Sequence, residues 1–192
     1  ELHMPQDVFL LWDLGSLPAF AKAIHGNKMI TEFDAVGGFP FRCLDIMCSA
    51  LLTLPALVSV SFTCYDEGPK VQSHRSVVQL LQSPVLREVE FSGVNFTYAL
   101  CKSFAKALKE RSQITFLSFY FFSFPVGGSA LIAKALMNNT KLKRLCFHHR
   151  DRRGILGFHE VLASVLLSNS TLQKLELSLP PPGGSGSCSW LC

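Results

Sequence analysis

Apolar and polar positions along this chain repeat on two scales at once. Six times a helical tetrad of the form small-x-x-large occurs: Ala21 to Ile24, Cys48 to Leu51, Val77 to Leu80, Ala105 to Leu108, Ala133 to Leu136 and Ala163 to Leu166. Six residues beyond the last position of each tetrad, an apolar triplet of spacing L-x-x-L-x-L begins. The triplets are Ile30/Phe33/Ala35, Leu57/Val60/Phe62, Leu86/Val89/Phe91, Ile114/Leu117/Phe119, Leu142/Leu145/Phe147 and Leu172/Leu175/Leu177. Successive triplets start 27, 29, 28, 28 and 30 residues apart. A fixed helix-to-strand offset with a variable return segment marks a repeat array.

Each unit reads as strand, return segment, helix, tight turn and next strand. Phe104, Ala105 and Leu108, and then Leu131, Ile132, Ala135 and Leu136, fall at the three- and four-residue spacing of one helix face. The small residue of each tetrad is expected to let the helix approach the sheet closely. Asn27, Asn139 and Asn169 each stand three positions after a tetrad. Asn tolerates left-handed backbone, so these read as helix C-caps. Pro55 and Pro84 stop the helices of the second and third units, while Gly37-Gly38 and Gly127-Gly128 read as turn glycines. Strands joined by helical crossovers of more than a dozen residues must run parallel, with a right-handed crossover. Strands need about 4.8 Å of spacing and helices about 10 Å, so helices on one side bend the array into an arc. Six strands predict a concave sheet roughly 24 Å across.

The tetrad-and-triplet pattern resembles the leucine-rich repeat family, in its long, ribonuclease-inhibitor-like subclass. The resemblance covers about residues 19–179 and is best preserved in Ala105–Phe119, Ala133–Phe147 and Ala163–Leu177. The run from Ala133 to Leu145 looks like the helix-to-strand passage of arrays in innate immune receptors and protist repeat proteins. It implies a right-handed α/β horseshoe of about six repeats, with a parallel concave sheet and convex helices. Residues 1–18 would be a lead-in or partial repeat, and 180–192 a flexible Pro/Gly/Ser tail. The family's Asn or Cys three residues after the third anchor is replaced here by Gly38, Tyr65, Val94, Phe122, Arg150 and Pro180. The side-chain ladder of the bend is therefore expected to be absent. The last strand runs into the tail with no following helix, which reads as a fragment or truncated copy with an uncapped, self-associating edge.

Composition narrows the function classes. Apolar residues make up 48% of the 192 and charged residues 17%, enough for a large core and against disorder. No apolar run approaches the roughly 18 to 20 residues of a membrane span. Seven cysteines are an odd number without metal-type spacing. Reduced thiols and a cytoplasmic setting are expected, although three sequons, at Asn95, Asn138 and Asn169, point toward secretion. The net charge of +4 conceals an imbalance. Residues 1–96 hold six Lys/Arg against ten Asp/Glu, and residues 97–192 hold twelve against four.

In such a strand, residues between and just after the anchors face the concave side. They give an acidic patch of Glu32, Asp34, Glu88 and Glu90, then an aromatic centre of Phe116, Tyr120 and Phe121. A basic patch follows, with Lys143, Arg144, His148 and His149, and Arg150, Arg152 and Arg153 beyond. Exposed aromatics flanked by charge are typical interface anchors. The alternative for Phe121 and Phe122 is that they turn into the core. Cys146 is expected on an exposed strand face. It shares that face with His148, but the sequence shows no third group to orient a nucleophile and no pocket. His159-Glu160 lacks the second His of a zinc helix, and no phosphate-binding glycine loop occurs. Neither a catalytic constellation nor a metal site nor a cofactor is therefore expected.

A non-catalytic protein-binding or scaffold module is the reading that results, with Glu88, Glu90, Phe116, Tyr120, Lys143, Arg144 and His148 as partner-binding residues. Two alternatives stand beside it: polyanion binding by the basic half, whether nucleic acid or phosphoinositide, and a sensor-domain fragment of a larger receptor. Nucleic acid is disfavoured because the acidic half would repel a long duplex.

Overall fold

A computed structural model describes residues 2–3, 15–40, 43–65, 75–110, 112–120, 122, 124–148 and 158–178, of which 2–3, 36–39, 65 and 158–161 are described by backbone alone. Strands and helices alternate strictly. They are β1 (Leu2–His3), α1 (Leu17–Ile24), β2 (Glu32–Pro40), α2 (Leu44–Leu51), β3 (Ser59–Tyr65), α3 (Arg75–Leu81), β4 (Glu88–Ser92), α4 (Tyr98–Glu110), β5 (Phe116–Tyr120), α5 (Gly128–Met137), β6 (Arg144–His148), α6 (Phe158–Ser168) and β7 (Lys174–Ser178). The strands form one parallel sheet in the order β1 to β7, and each helix from α1 to α6 packs on the next. The fold is an α/β solenoid of leucine-rich-repeat type. It has one strand more than the triplets mark, since the two-residue β1 carries no anchor triplet and pairs Leu2 with Phe33.

The triplets do what their spacing requires. From β3 to β7 the pairing is in register across every gap, so equivalent positions stack in rows. The second anchors Val60, Val89, Leu117 and Leu145 are fully buried. The third anchors Phe62, Phe91, Phe119 and Phe147 stack ring on ring, with centroids 5.6, 6.1 and 5.3 Å apart. Phe104 from α4 and Phe96 from the return segment meet this stack edge-on or tilted. Aromatic pairs in such offset and edge arrangements add about 0.5–1.5 kcal/mol each beyond the area they bury.

Two expectations about the turns need correction. After α1 the left-handed residue is Gly26, at φ 66°, and not Asn27. Asn27 works through its side chain, whose Oδ1 accepts the amides of Met29 and Ile30 at 2.8 and 3.2 Å. Asn139 and Asn169 do the same for Lys141/Leu142 and Thr171/Leu172. Their amide groups also reach back one unit. Asn139 Nδ2 donates to Leu108 O at 2.8 Å, and Asn169 Nδ2 donates to Leu136 O at 2.6 Å and Asn139 O at 2.9 Å. The array therefore does contain a side-chain ladder, at the elbow before the strand instead of the bend after it. At the bend, Val94 and Phe122 are buried apolar plugs.

Gly37-Gly38 is not a turn either: it lies inside β2, where the register with β3 shifts between Ala35 and Phe39. Gly93, at φ 70°, closes β4, and its amide donates to Tyr120 O at 2.9 Å. A side chain there would collide with the Cys64 carbonyl oxygen, so only glycine fits.

Candidate functional site

Residues that alternate with the anchors form three rows across the concave side. The first row runs Glu32, Ser59, Glu88, Phe116, Arg144, Lys174. The second runs Asp34, Ser61, Glu90, Ser118, Cys146, Glu176, and the third Thr63, Ser92, Tyr120, His148, Ser178. The in-register ladder makes these rows, so a side chain's neighbours are set by its distance from an anchor. Of the sequence candidates, Glu88, Phe116 and Arg144 are adjacent in the first row, Glu90 lies in the second, and Tyr120 and His148 are neighbours in the third. Lys143 is exposed but precedes β6 and stands outside the rows. Phe121, His149, Arg150, Arg152 and Arg153 lie outside the described residues. Phe122 is 4% exposed and belongs to the core.

Two contacts organise the centre. The Arg144 guanidinium lies 4.7 Å from the centroid of the Phe116 ring, held on its other side by Glu176 at 3.0 Å. Tyr120 and His148 stack with centroids 4.2 Å apart and planes 3° from parallel. The Arg144–Phe116 pair is a cation–π contact. More usefully for recognition, both contacts fix long side chains before any ligand arrives.

Glu176 and Lys174 are the residues sequence reasoning missed. Lys174 Nζ lies 2.6 Å from Glu176 Oε1, and Arg144 Nε donates to the same oxygen at 3.2 Å. The signal was available: Glu176 stands two residues before the third anchor's successor, the slot that holds Glu90 and Cys146 in earlier units. Cys146 corrects another expectation, being 1% exposed despite its place on the concave side. Its neighbours are long: Arg144 and His148 in the adjacent rows and Glu176 beside it in its own row.

Local charge follows this geometry. Burial raises the Glu90 carboxyl, Asp34 and Glu88 raise it further, and Arg144 opposes them. Burial also raises Tyr120 and Cys146 and lowers His148, which leaves the imidazole neutral-leaning. The Lys174 hydrogen bond is the main cause holding Glu176 below the usual carboxylate range, aided by Arg144 and opposed by partial burial. Cys43, Cys48, Cys64, Cys101 and Cys146 are all buried and in no disulfide. Burial pushes Cys101 up to about 11 and Cys48 and Cys64 upward as well, so these three are poor nucleophiles.

No family model matches the chain, and no curated protein matches it. Among solved structures, the chain is similar to Leiomodin-1 Actin-Binding Site 2 (ABS2), at 16% identity and a TM-score of 0.42. The match covers 86% of this chain and 78% of that one. A likeness at this level carries no inference about what this chain binds. No catalytic family is indicated, and among the described residues no helix is long and apolar enough to cross a membrane.

Proposed function

We propose that the chain is a non-catalytic recognition module that docks a protein partner on its concave sheet. The observation that carries this reading is the pre-set pair of contacts at the centre, Phe116 with Arg144 and Tyr120 with His148. Aromatic and Arg side chains already locked in place lose little freedom on binding. Glu88 and Glu90 on one side and Lys143 on the other would set the partner's orientation by charge. A full helix in the units is what supports the ribonuclease-inhibitor-like assignment within the repeat family.

Polyanion binding is the weaker reading for a specific reason. Glu176 pairs with both Arg144 and Lys174, and its negative charge offsets one of the two cations that a phosphate backbone would use.

The test is a quantitative pull-down comparing the chain with a Phe116→Asp/Tyr120→Asp/Arg144→Glu variant of equal helicity by circular dichroism. A protein retained by the wild type and lost at least about tenfold from the variant supports docking on this face. Equal recovery of every captured protein by both sinks it.

A further inference from the structure

Cys146, His148 and Glu176 bring three different metal-ligating groups together, and among the described residues no other cluster of three does so. The thiol sulfur, an imidazole nitrogen and a carboxylate oxygen all lie within 4.8 Å of one another. The sheet register explains why: Cys146 sits directly opposite Glu176 across the β6/β7 gap, and His148, two residues on, faces the same way. The third group absent from the β6 sequence is thus supplied by the next strand.

A second observation points to a ligand. His148 Nε2 is buried without a hydrogen-bond partner. A buried nitrogen left unpaired is costly, and a neutral imidazole with a free lone pair is the commonest protein ligand for a metal. One face of the ring stacks on Tyr120, so the imidazole is held in place without its Nε2 being used. Glu176 has capacity as well. Arg144 and Lys174 all meet it at Oε1, and none of these contacts involves Oε2.

We propose that Cys146, His148 and Glu176 form a site for a borderline-soft divalent transition ion, with Zn²⁺ as the fitting occupant. Sulfur and nitrogen ligands exclude the hard, oxygen-seeking Mg²⁺ and Ca²⁺. Ligand bonds of about 2.0–2.3 Å place the atoms around a tetrahedral ion roughly 3.5 Å apart. Closing from the observed separation takes a shift of order 1 Å, within the range of side-chain rotation. On binding, the sulfur–metal bond replaces the S–H bond, and the proton leaves to solvent. His148 enters neutral and Glu176 ionised, so thiolate and carboxylate together balance the ion's charge. Three protein ligands leave a fourth position facing the concave side, the arrangement of open sites and not of closed structural ones. Arg144 and Lys174 repel a cation here, which makes the site exchangeable. The proposal stands whether or not the same face docks a protein.

Cobalt(II) titration of the full chain under anaerobic, reducing conditions tests it. The expected result is one equivalent bound, with a thiolate-to-cobalt charge-transfer band and the strong visible bands of a tetrahedral ion, both removed by added Zn²⁺. Cys146→Ser abolishes the charge-transfer band, and Glu176→Gln and His148→Ala each weaken binding beyond the roughly 10–100-fold loss typical of outer-shell changes. Cys146→Ser preserves size and Glu176→Gln alters a half-exposed side chain, so at least one variant remains folded by circular dichroism. No charge-transfer band at equimolar cobalt overturns the site. So does a band that survives Cys146→Ser, or one that only Cys188→Ser/Cys192→Ser removes.

Discussion

The middle of the array and its last described unit have the same sequence pattern and different physical fates. In α5 the positions Ile132, Ala133, Ala135 and Leu136 are all buried, because α4 and α6 flank the helix. In α6 the equivalents split. Leu162 and Val165 are buried against the sheet and α5, while Ala163 and Leu166 are exposed, Leu166 by 53%. The strands divide likewise: Phe119 is fully buried between Phe91 and Phe147, whereas its counterpart Leu177 is 49% exposed. The tetrad therefore encodes two contacts, one to the unit's own sheet and one to the next helix, and only the first is intrinsic to the repeat. Stability in such a chain is a sum of unit and neighbour terms, with the neighbour term largest in the centre. Leu166, Leu167 and Leu177 are accordingly exposed in this unit.

The sharpest way to break this contrast is to delete equivalent anchors. Phe119→Ala should cost about 3–5 kcal/mol in a denaturation experiment, and Leu177→Ala less than about 1 kcal/mol. Similar losses would mean that the last strand is as tightly coupled as the centre. The elbow ladder gives the next largest effect. Asn139→Ala removes a buried bridge to Leu108 O and should cost about 1–3 kcal/mol. Asn27→Ala, which removes exposed local bonds to the Met29 and Ile30 amides, should stay within about 0.5 kcal/mol.

The smallest effect concerns charge. Glu90 has a native pKa above its ordinary value through burial, with Asp34 and Glu88 adding to it. Its ionisation therefore costs stability, a burden absent below the unfolded pKa, growing as pH rises and complete above the native pKa. Glu90→Gln should gain on the order of 0.5 kcal/mol at neutral pH after solvent screening, and the gain should shrink toward about pH 4. A gain that is constant with pH would show that packing, not charge, is responsible. The same substitution should weaken partner binding if Glu90 orients the partner, the usual opposition of stability and function.

The fold was legible because burial at a fixed offset leaves a periodic trace, and β3 to β7 follow that trace without a slip. The concave rows were legible for the same reason, which is why Phe116, Arg144, Tyr120 and His148 were placed as neighbours from spacing alone. What could not be read was anything decided between units. Asn139 serves as a bridge because a carbonyl of the preceding helix, Leu108 O, lies within reach of its side chain, a fact of three-dimensional stacking. Gly26 took the left-handed position that Asn27 was expected to fill, since glycine adopts it without a Cβ penalty. Cys146 was placed in the open because alternation predicts direction and not coverage. Glu176 gains its place from β6, because only the pairing across the β6/β7 gap sets it opposite Cys146.

The ladder has one further consequence, for chemical modification. Asn169 opens an Asn-Ser-Thr triplet of the kind that accepts a sugar in secreted chains. The atom a glycan would occupy is the amide nitrogen, and here that nitrogen already donates to Leu136 O and Asn139 O. A transferase would have to peel the last unit from its neighbour to reach it, and the sugar would then hold the two apart. In the folded chain this triplet is a staple between units, not an attachment point.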